Sequence, residues 1–199
     1  MTLEIERKWL IDVEELPFPL ERFERHRIVQ SYVSFSPQIR IRSIDDERFI
    51  LTVKCKAAGV ESALAREEFE LELSEGSYRH LLSKTEGKTL VKTRYVVPEA
   101  AIGDGVIAGS IDEGASGEDP SETMRGGGVS EASSTCGDGR VFEIDVFEGD
   151  FEGLAFAEME FASLEEAQAY PMPGWVRADV SEDPRYRNVV MAQTGLQKD

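Results

Sequence analysis

Glu4, Glu6 and Lys8 alternate along an opening stretch that is otherwise rich in Leu3, Ile5, Trp9, Leu10 and Ile11. Residues two apart share one face of a β-strand, so two carboxylates and one ammonium would point the same way. One such strand would read as an ordinary solvated face. The same pattern, however, returns along the chain. Gln38–Arg42 sets Arg40 and Arg42 against Ile39 and Ile41, and Phe49–Lys56 sets Ile50, Thr52, Lys54 and Lys56 against Leu51, Val53 and Cys55. Arg66–Leu73 sets Arg66, Glu68, Glu70 and Glu72 against Phe69, Leu71 and Leu73. Lys92 shares a face with Arg94, Glu143 with Asp145, and Glu158 with Glu160.

These segments have a clean period of two, with charge on one face and apolar groups on the other. The charged faces are nearly pure carboxylate or purely cationic, not the Ser, Thr, Asn and Gln mixture of a wetted surface. If the strands close into a barrel with charge inward, both signs converge in one lumen. Carboxylate oxygens there suit hard cations such as Mg2+ or Mn2+. Arginine and lysine groups there suit phosphate oxygens. The apolar faces would then point outward and need helices or a partner subunit to cover them.

The Glu4-x-Glu6-x-Lys8 opening resembles the signature of the CYTH, or triphosphate tunnel metalloenzyme, superfamily. Supporting residues follow in that family's order: Arg40 and Arg42, Lys54, Arg66 with Glu68 and Glu70, Lys92 and Arg94, Glu143 and Asp145, Glu158 and Glu160. Asp183-Pro184-Arg185-Tyr186-Arg187-Asn188 is similar to its closing segment. The resemblance covers about residues 1–98 and 140–192. It implies an α+β fold, mainly an antiparallel eight-stranded β-barrel tunnel with short covering helices. That fold would form a single domain over 1–192, with a C-terminal tail at 193–199.

The resemblance also implies a chemistry. Lys8, Arg40, Arg42, Lys54, Lys92 and Arg94 would clamp phosphate, with Arg185 at the mouth. Glu4, Glu6, Glu158 and Glu160 would hold Mg2+ or Mn2+, with Asp145 close by. Asp145 and Glu143 would orient the attacking water, and Glu68 and Glu70 would add to the metal set or pair with lumen cations. A lysine–tyrosine pair that assists hydrolysis in some relatives maps onto Lys8 and Tyr32, because Val29-Gln30-Ser31-Tyr32 resembles the family's Gln-Gly-Tyr segment. The expected activity is metal-dependent hydrolysis of triphosphates, inorganic tripolyphosphate first. The alternatives are a class IV adenylyl cyclase, a thiamine triphosphatase, and a polyphosphate-binding module without turnover.

A chain of 199 residues with 41% hydrophobic content can bury the core such a barrel needs. No apolar run approaches a membrane span and no basic-then-apolar leader opens the sequence, so a cytoplasmic protein without membrane contact is expected. A formal charge of −17 argues against a nucleic-acid-binding surface. Residues 99–140 contribute nine acidic and two basic side chains among Gly-rich runs and read as a disordered acidic insertion between two strands. Val106, Ile107 and Ile111 would form a short element near its start. Cys55 reads as a small buried hydrophobe, and Cys136 falls within the insertion. A helix is expected from Ser77 to about Lys84, and a second after the capping box of Ser163 and Glu166. A short helix is expected from Leu20. Trp9 belongs to the core by its face, and Trp175 is expected near a tunnel mouth. The outward apolar surface suggests a homodimer.

Overall fold

The computed structural model describes residues 2–56, 65–102 and 139–196; the side chains of Thr2, Leu3, Cys55, Lys56, Ala65 and Arg66 are outside that description. The expected element at Val106–Ile111 and Cys136 also lie outside the described residues, as does nearly all of the acidic insertion. Of that insertion's ends, Glu99–Ala101 forms a single 3-10 turn, and Arg140 bonds Glu99 and Glu166 at 2.9 and 2.7 Å.

The alternating segments all become strands. These are β1 (Thr2–Leu10), β2 (Glu24–Phe35), β3 (Gln38–Ile44), β4 (Arg48–Lys56), β5 (Ala65–Leu73), β6 (Glu86–Pro98), β7 (Val141–Glu148) and β8 (Ala155–Glu160), followed by the two-residue β9 (Ala178–Asp179). They form one antiparallel nine-stranded sheet in the order β5-β4-β3-β2-β6-β7-β8-β1-β9. The ninth strand exceeds the expected eight because Arg177 and Val180 bond the backbone carbonyls of Leu10 and Lys8. β1 serves two neighbours along its length: Thr2–Ile5 pairs with β5 and Glu6–Leu10 with β8. The β3–β4 hairpin turns through Asp45 and Asp46 at positive φ, a conformation Asp tolerates better than most side chains.

Helices are few and short: α1 (Glu75–Leu82), α2 (Leu164–Ala169) and α3 (Asn188–Thr194). α1 starts earlier than its sequence suggests. Ser74 is the cap, its Oγ accepting from the Ser77 amide at 3.2 Å. Ser77 is thus in the first turn rather than before it. α2 carries the expected capping box, with Ser163 Oγ accepting from the Glu166 amide and the Glu166 carboxylate accepting from the Ala162 amide. From Leu20 only one 3-10 turn forms, to Arg22, in a segment punctuated by Pro17 and Pro19.

Three apolar clusters form among the described residues, the smallest joining Ile41 and Phe49 to Tyr78 of α1. Trp9, Phe142, Ile144, Met159 and Phe161 pack beneath α2 with Phe18 and Leu20. Trp175, partly buried, packs against this cluster, 5.1 Å from Phe142 and 5.6 Å from Phe18. The second cluster joins Tyr32, Leu90, Phe147, Phe151 and Phe156 to Met191 and Ala192 of α3. Gly87 makes that contact possible: its φ is +70°, and a Cβ there would meet Ala192 O at 2.4 Å. On β5, Phe69 and Leu71 are 50% and 51% exposed. No described helix is long and apolar enough to cross a membrane.

Candidate active site

Residues opposite one another in antiparallel strands share a face. The register therefore shows which charges meet. Lys8 faces Glu158 and Glu6 faces Glu160; Glu158 faces Glu143; Asp145 faces Arg94. Across β2 and β3, Tyr32 lies opposite Arg40 and Gln30 opposite Arg42. Lys54 faces both Gln38 and Glu68, while Thr52 faces Arg40 and Glu70. One continuous polar face thus carries Glu4, Glu6, Lys8, Tyr32, Arg40, Arg42, Lys54, Glu68, Glu70, Lys92, Arg94, Glu143, Asp145, Glu158 and Glu160.

Opposite charges on this face are drawn together. Lys8 Nζ lies 2.6 Å from Glu158, and Lys54 Nζ 2.6 Å from Glu4 with Glu68 also in contact. Arg42 meets Glu70 at 2.5 Å, while Arg40 lies 3.5 Å from Glu68 and 3.8 Å from Glu70. Thr52 bridges these groups, donating to Glu70 at 2.9 Å and accepting from Arg40 at 3.3 Å. Arg94 reaches Glu143, Asp145 (2.7 Å) and Glu158 (2.8 Å) at once. Asp145, fully buried, also holds Lys92.

The electrostatics follow from burial set against these partners. Burial raises the Glu158 carboxyl, but Lys8, Lys92 and Arg94 outweigh it and hold it well below the usual range. Burial also raises Glu4, and Lys54 with Arg40 more than offsets that. Glu158 and Glu6 keep the Lys8 ammonium charged against its own burial. Burial, with Arg40 beside it, lowers Arg42 to about 10, and burial with Arg94 lowers Lys92 to about 8. Glu6 has the opposite problem. Burial, Glu4 and Glu158 push its carboxyl up to about 7, and burial with Glu143 and Glu4 raises Glu160. Neither Glu6 nor Glu160 forms an ion pair with a described residue.

Part of this face lines a small cavity of about 60 Å³, open to solvent and bounded by Glu4, Glu6, Lys8, Tyr32, Arg40 and Lys54 together with the 180–189 segment. Arg185 is not among its lining residues; Asp183 holds its guanidinium at 2.8 Å. Tyr186, Arg187 and Asn188 line the cavity in its place. The Tyr186 carbonyl accepts from Lys8 Nζ at 3.3 Å, and the Lys8 amide donates to Ser181 Oγ at 3.0 Å. Ser181 had no distinguishing pattern in the sequence, and Gln30 and Asn188 stood in segments that resemble the family's without being given a role. Thr52 did, through its place on the charged face of β4.

A divalent cation fits the donor chemistry here, because Glu4, Glu6, Glu158 and Glu160 are hard oxygen donors and two of them, Glu6 and Glu160, form no ion pair among the described residues. Among the described residues, no three Asp, Glu, His or Cys side chains are yet gathered at ligating distance. Glu4 and Glu158 are instead turned toward Lys54 and Lys8.

No family model matches the chain. The inorganic triphosphatase of Nitrosomonas europaea is 30% identical over 192 residues, spanning 95% of this chain and 96% of that one. The chain belongs to the CYTH family of inorganic triphosphatases. The crystal structure of the inorganic triphosphatase NE1496 matches 96% of this CYTH chain and 95% of its own at 27% identity, with a TM-score of 0.53. The Hippeastrum protein HpAC1, which has a dominant triphosphatase activity, shares the fold at 16% identity and a TM-score of 0.50, over 83% of this chain and 82% of its own.

Proposed function

We propose that this chain hydrolyses inorganic tripolyphosphate with Mg2+ or Mn2+, inside a tunnel closed by the β1–β5 pairing. The observation that carries the reading is the matched arrangement of lysines, arginines and carboxylates on one face. A plain anion site would gain nothing from Glu4, Glu6, Glu158 and Glu160, which repel phosphate unless a cation lies between.

Substrate binding is a partner exchange. Phosphate oxygens replace Glu4 and Glu68 on Lys54, Glu70 on Arg42, and Glu158 on Lys8. Arg40, Lys92 and Arg94 complete the clamp. Glu4 and Glu158, so released, are together with Glu6 and Glu160 the residues that would hold a divalent cation, which would offset the carboxylate charge that substrate binding uncovers. The bound cation supplies charge neutralisation along the phosphate chain and helps orient water. Glu143 and Asp145 keep Arg94 aimed at the phosphates, and Asp145 does the same for Lys92. Lys8 and Tyr32 border the terminal phosphorus. Water attacks there, the bridging P–O bond breaks, and phosphate and pyrophosphate leave. Positioning and charge stabilisation supply most of the acceleration in phosphoryl transfer.

The test is phosphate release from tripolyphosphate, ATP and thiamine triphosphate, with Mg2+, Mn2+ or EDTA, beside Glu160→Gln. Fast release from tripolyphosphate that requires the metal and falls sharply in the variant is expected. Pyrophosphate with cyclic AMP from ATP would replace this reading with a cyclase. Binding without turnover would leave an anion-binding module.

A further inference from the structure

Ile50, Thr52 and Lys54 share one face of β4, and of these Thr52 alone is polar without charge. β4 lies between β3 and β5, and the register sets Thr52 opposite Arg40 on one side and Glu70 on the other. Thr52 is fully buried and Arg40 is 6% exposed, so the hydroxyl must find its partners within the protein. A hydroxyl has a single proton to donate. It goes to Glu70 Oε1 at 2.9 Å, and the oxygen accepts from Arg40 Nη2 at 3.3 Å. Neighbouring cations are tied closely to carboxylates, Lys8 and Lys54 at 2.6 Å and Arg42 at 2.5 Å. Arg40 is not: its carboxylate neighbours Glu68 and Glu70 stand off at 3.5 and 3.8 Å. Its Nε is buried with no hydrogen-bond partner among the described residues, and Arg40 lines the cavity.

We propose that Thr52 is a positioning residue that keeps Arg40 open to a phosphate oxygen: its hydroxyl engages Glu70 and so holds that carboxylate off the guanidinium. The inference rests on the triphosphatase reading above. Without the hydroxyl, Glu70 loses a donor and Arg40 loses an acceptor. The Glu70 side chain is 42% exposed and has room to move. A shift of about 1 Å brings it into a direct, charge-assisted pair with Arg40. Substrate must then displace a carboxylate to reach that guanidinium. Binding weakens, while the complex, once formed, reacts at its former rate.

The experiment compares Thr52→Val, Thr52→Ser, Glu70→Gln and the combined Thr52→Val/Glu70→Gln variant. Tripolyphosphate hydrolysis is followed with metal, tripolyphosphate binding in EDTA by calorimetry, and melting temperature beside both. Valine keeps the branched shape and removes only the hydroxyl. Thr52→Val is expected to raise KM and the metal-free Kd on the order of tenfold and to leave kcat within about twofold. Thr52→Ser restores the hydroxyl and should match wild type. In the Glu70→Gln background, Thr52→Val should cost nothing further, because no carboxylate remains to close on Arg40. Unchanged KM and Kd in Thr52→Val, a loss confined to kcat, or a cost that persists in the Glu70→Gln background would each overturn the inference. If Thr52→Val does not fold, Thr52→Ala takes its place in the same cycle. A wild type that binds tripolyphosphate without hydrolysing it refutes the triphosphatase reading, and the calorimetric comparison still decides the role of Thr52. A wild type that does not bind it overturns both.

Discussion

Glu6 offers the sharpest test of the electrostatics. Its carboxyl is raised from an ordinary 4.5 to about 7 by burial, Glu4 and Glu158, and Glu160 lies opposite it in the register. A carboxyl whose pKa is raised holds its proton more tightly in the folded state than in the unfolded state. Stability is therefore greatest below the unfolded value and is lost as pH rises to about 7. At about 1.4 kcal/mol per unit, the metal-free protein gives up about 3 kcal/mol across that window. Glu6→Gln removes the titrating charge and escapes the loss. Urea unfolding in EDTA should give nearly equal stabilities at pH 4.5. By pH 8 the variant should lead by about 3 kcal/mol, or about 6–12 °C in melting temperature for a chain of this size. Added Mg2+ or Mn2+ should close the gap, because the ionised Glu6 then has its cation. A difference between variant and wild type that stays constant from pH 4.5 to 8 in EDTA would refute the account of Glu6 as a half-buried acid crowded by Glu4 and Glu158.

Asp145→Asn leaves Lys92 without its counter-ion and Arg94 short of one. It should destabilise the fold by about 3–5 kcal/mol in denaturant unfolding, and an unchanged midpoint would show that the pair is not energetically coupled. Gly87→Ala forces a Cβ to within 2.4 Å of Ala192 O at a φ of +70°. A loss of about 1–3 kcal/mol is expected, with α3 exchanging its amide hydrogens faster than β6; equal protection of both would contradict it.

Strand positions and facing were legible in the sequence because period-two alternation is a local property of each segment. Segregation of Arg40 and Arg42 from Glu143 and Asp145 was legible as well, because each pair lies two residues apart on its own strand. α2 was legible for the same reason, since Ser163 and Glu166 satisfy backbone amides within a single turn. The one-turn error at α1 arose because Ser74 and Ser77 are chemically equivalent caps, and only the backbone path selects between them.

What the amino-acid order determined alone is thus the set of charged faces, the strands that carry them and the family signature in Glu4, Glu6 and Lys8. Tertiary structure decided which charges are partners. Lys54 meets Glu4 across a separation of 50 residues, and Arg94 gathers Glu143, Asp145 and Glu158 from two other strands. It also turned Arg185 toward Asp183 while Arg187 and Asn188 line the cavity, and it packed Trp175 against Phe142 at the edge of the core. The physical reason is range. Alternation needs only two neighbouring residues, whereas a pairing across the sheet depends on strand order and register, to which every strand contributes.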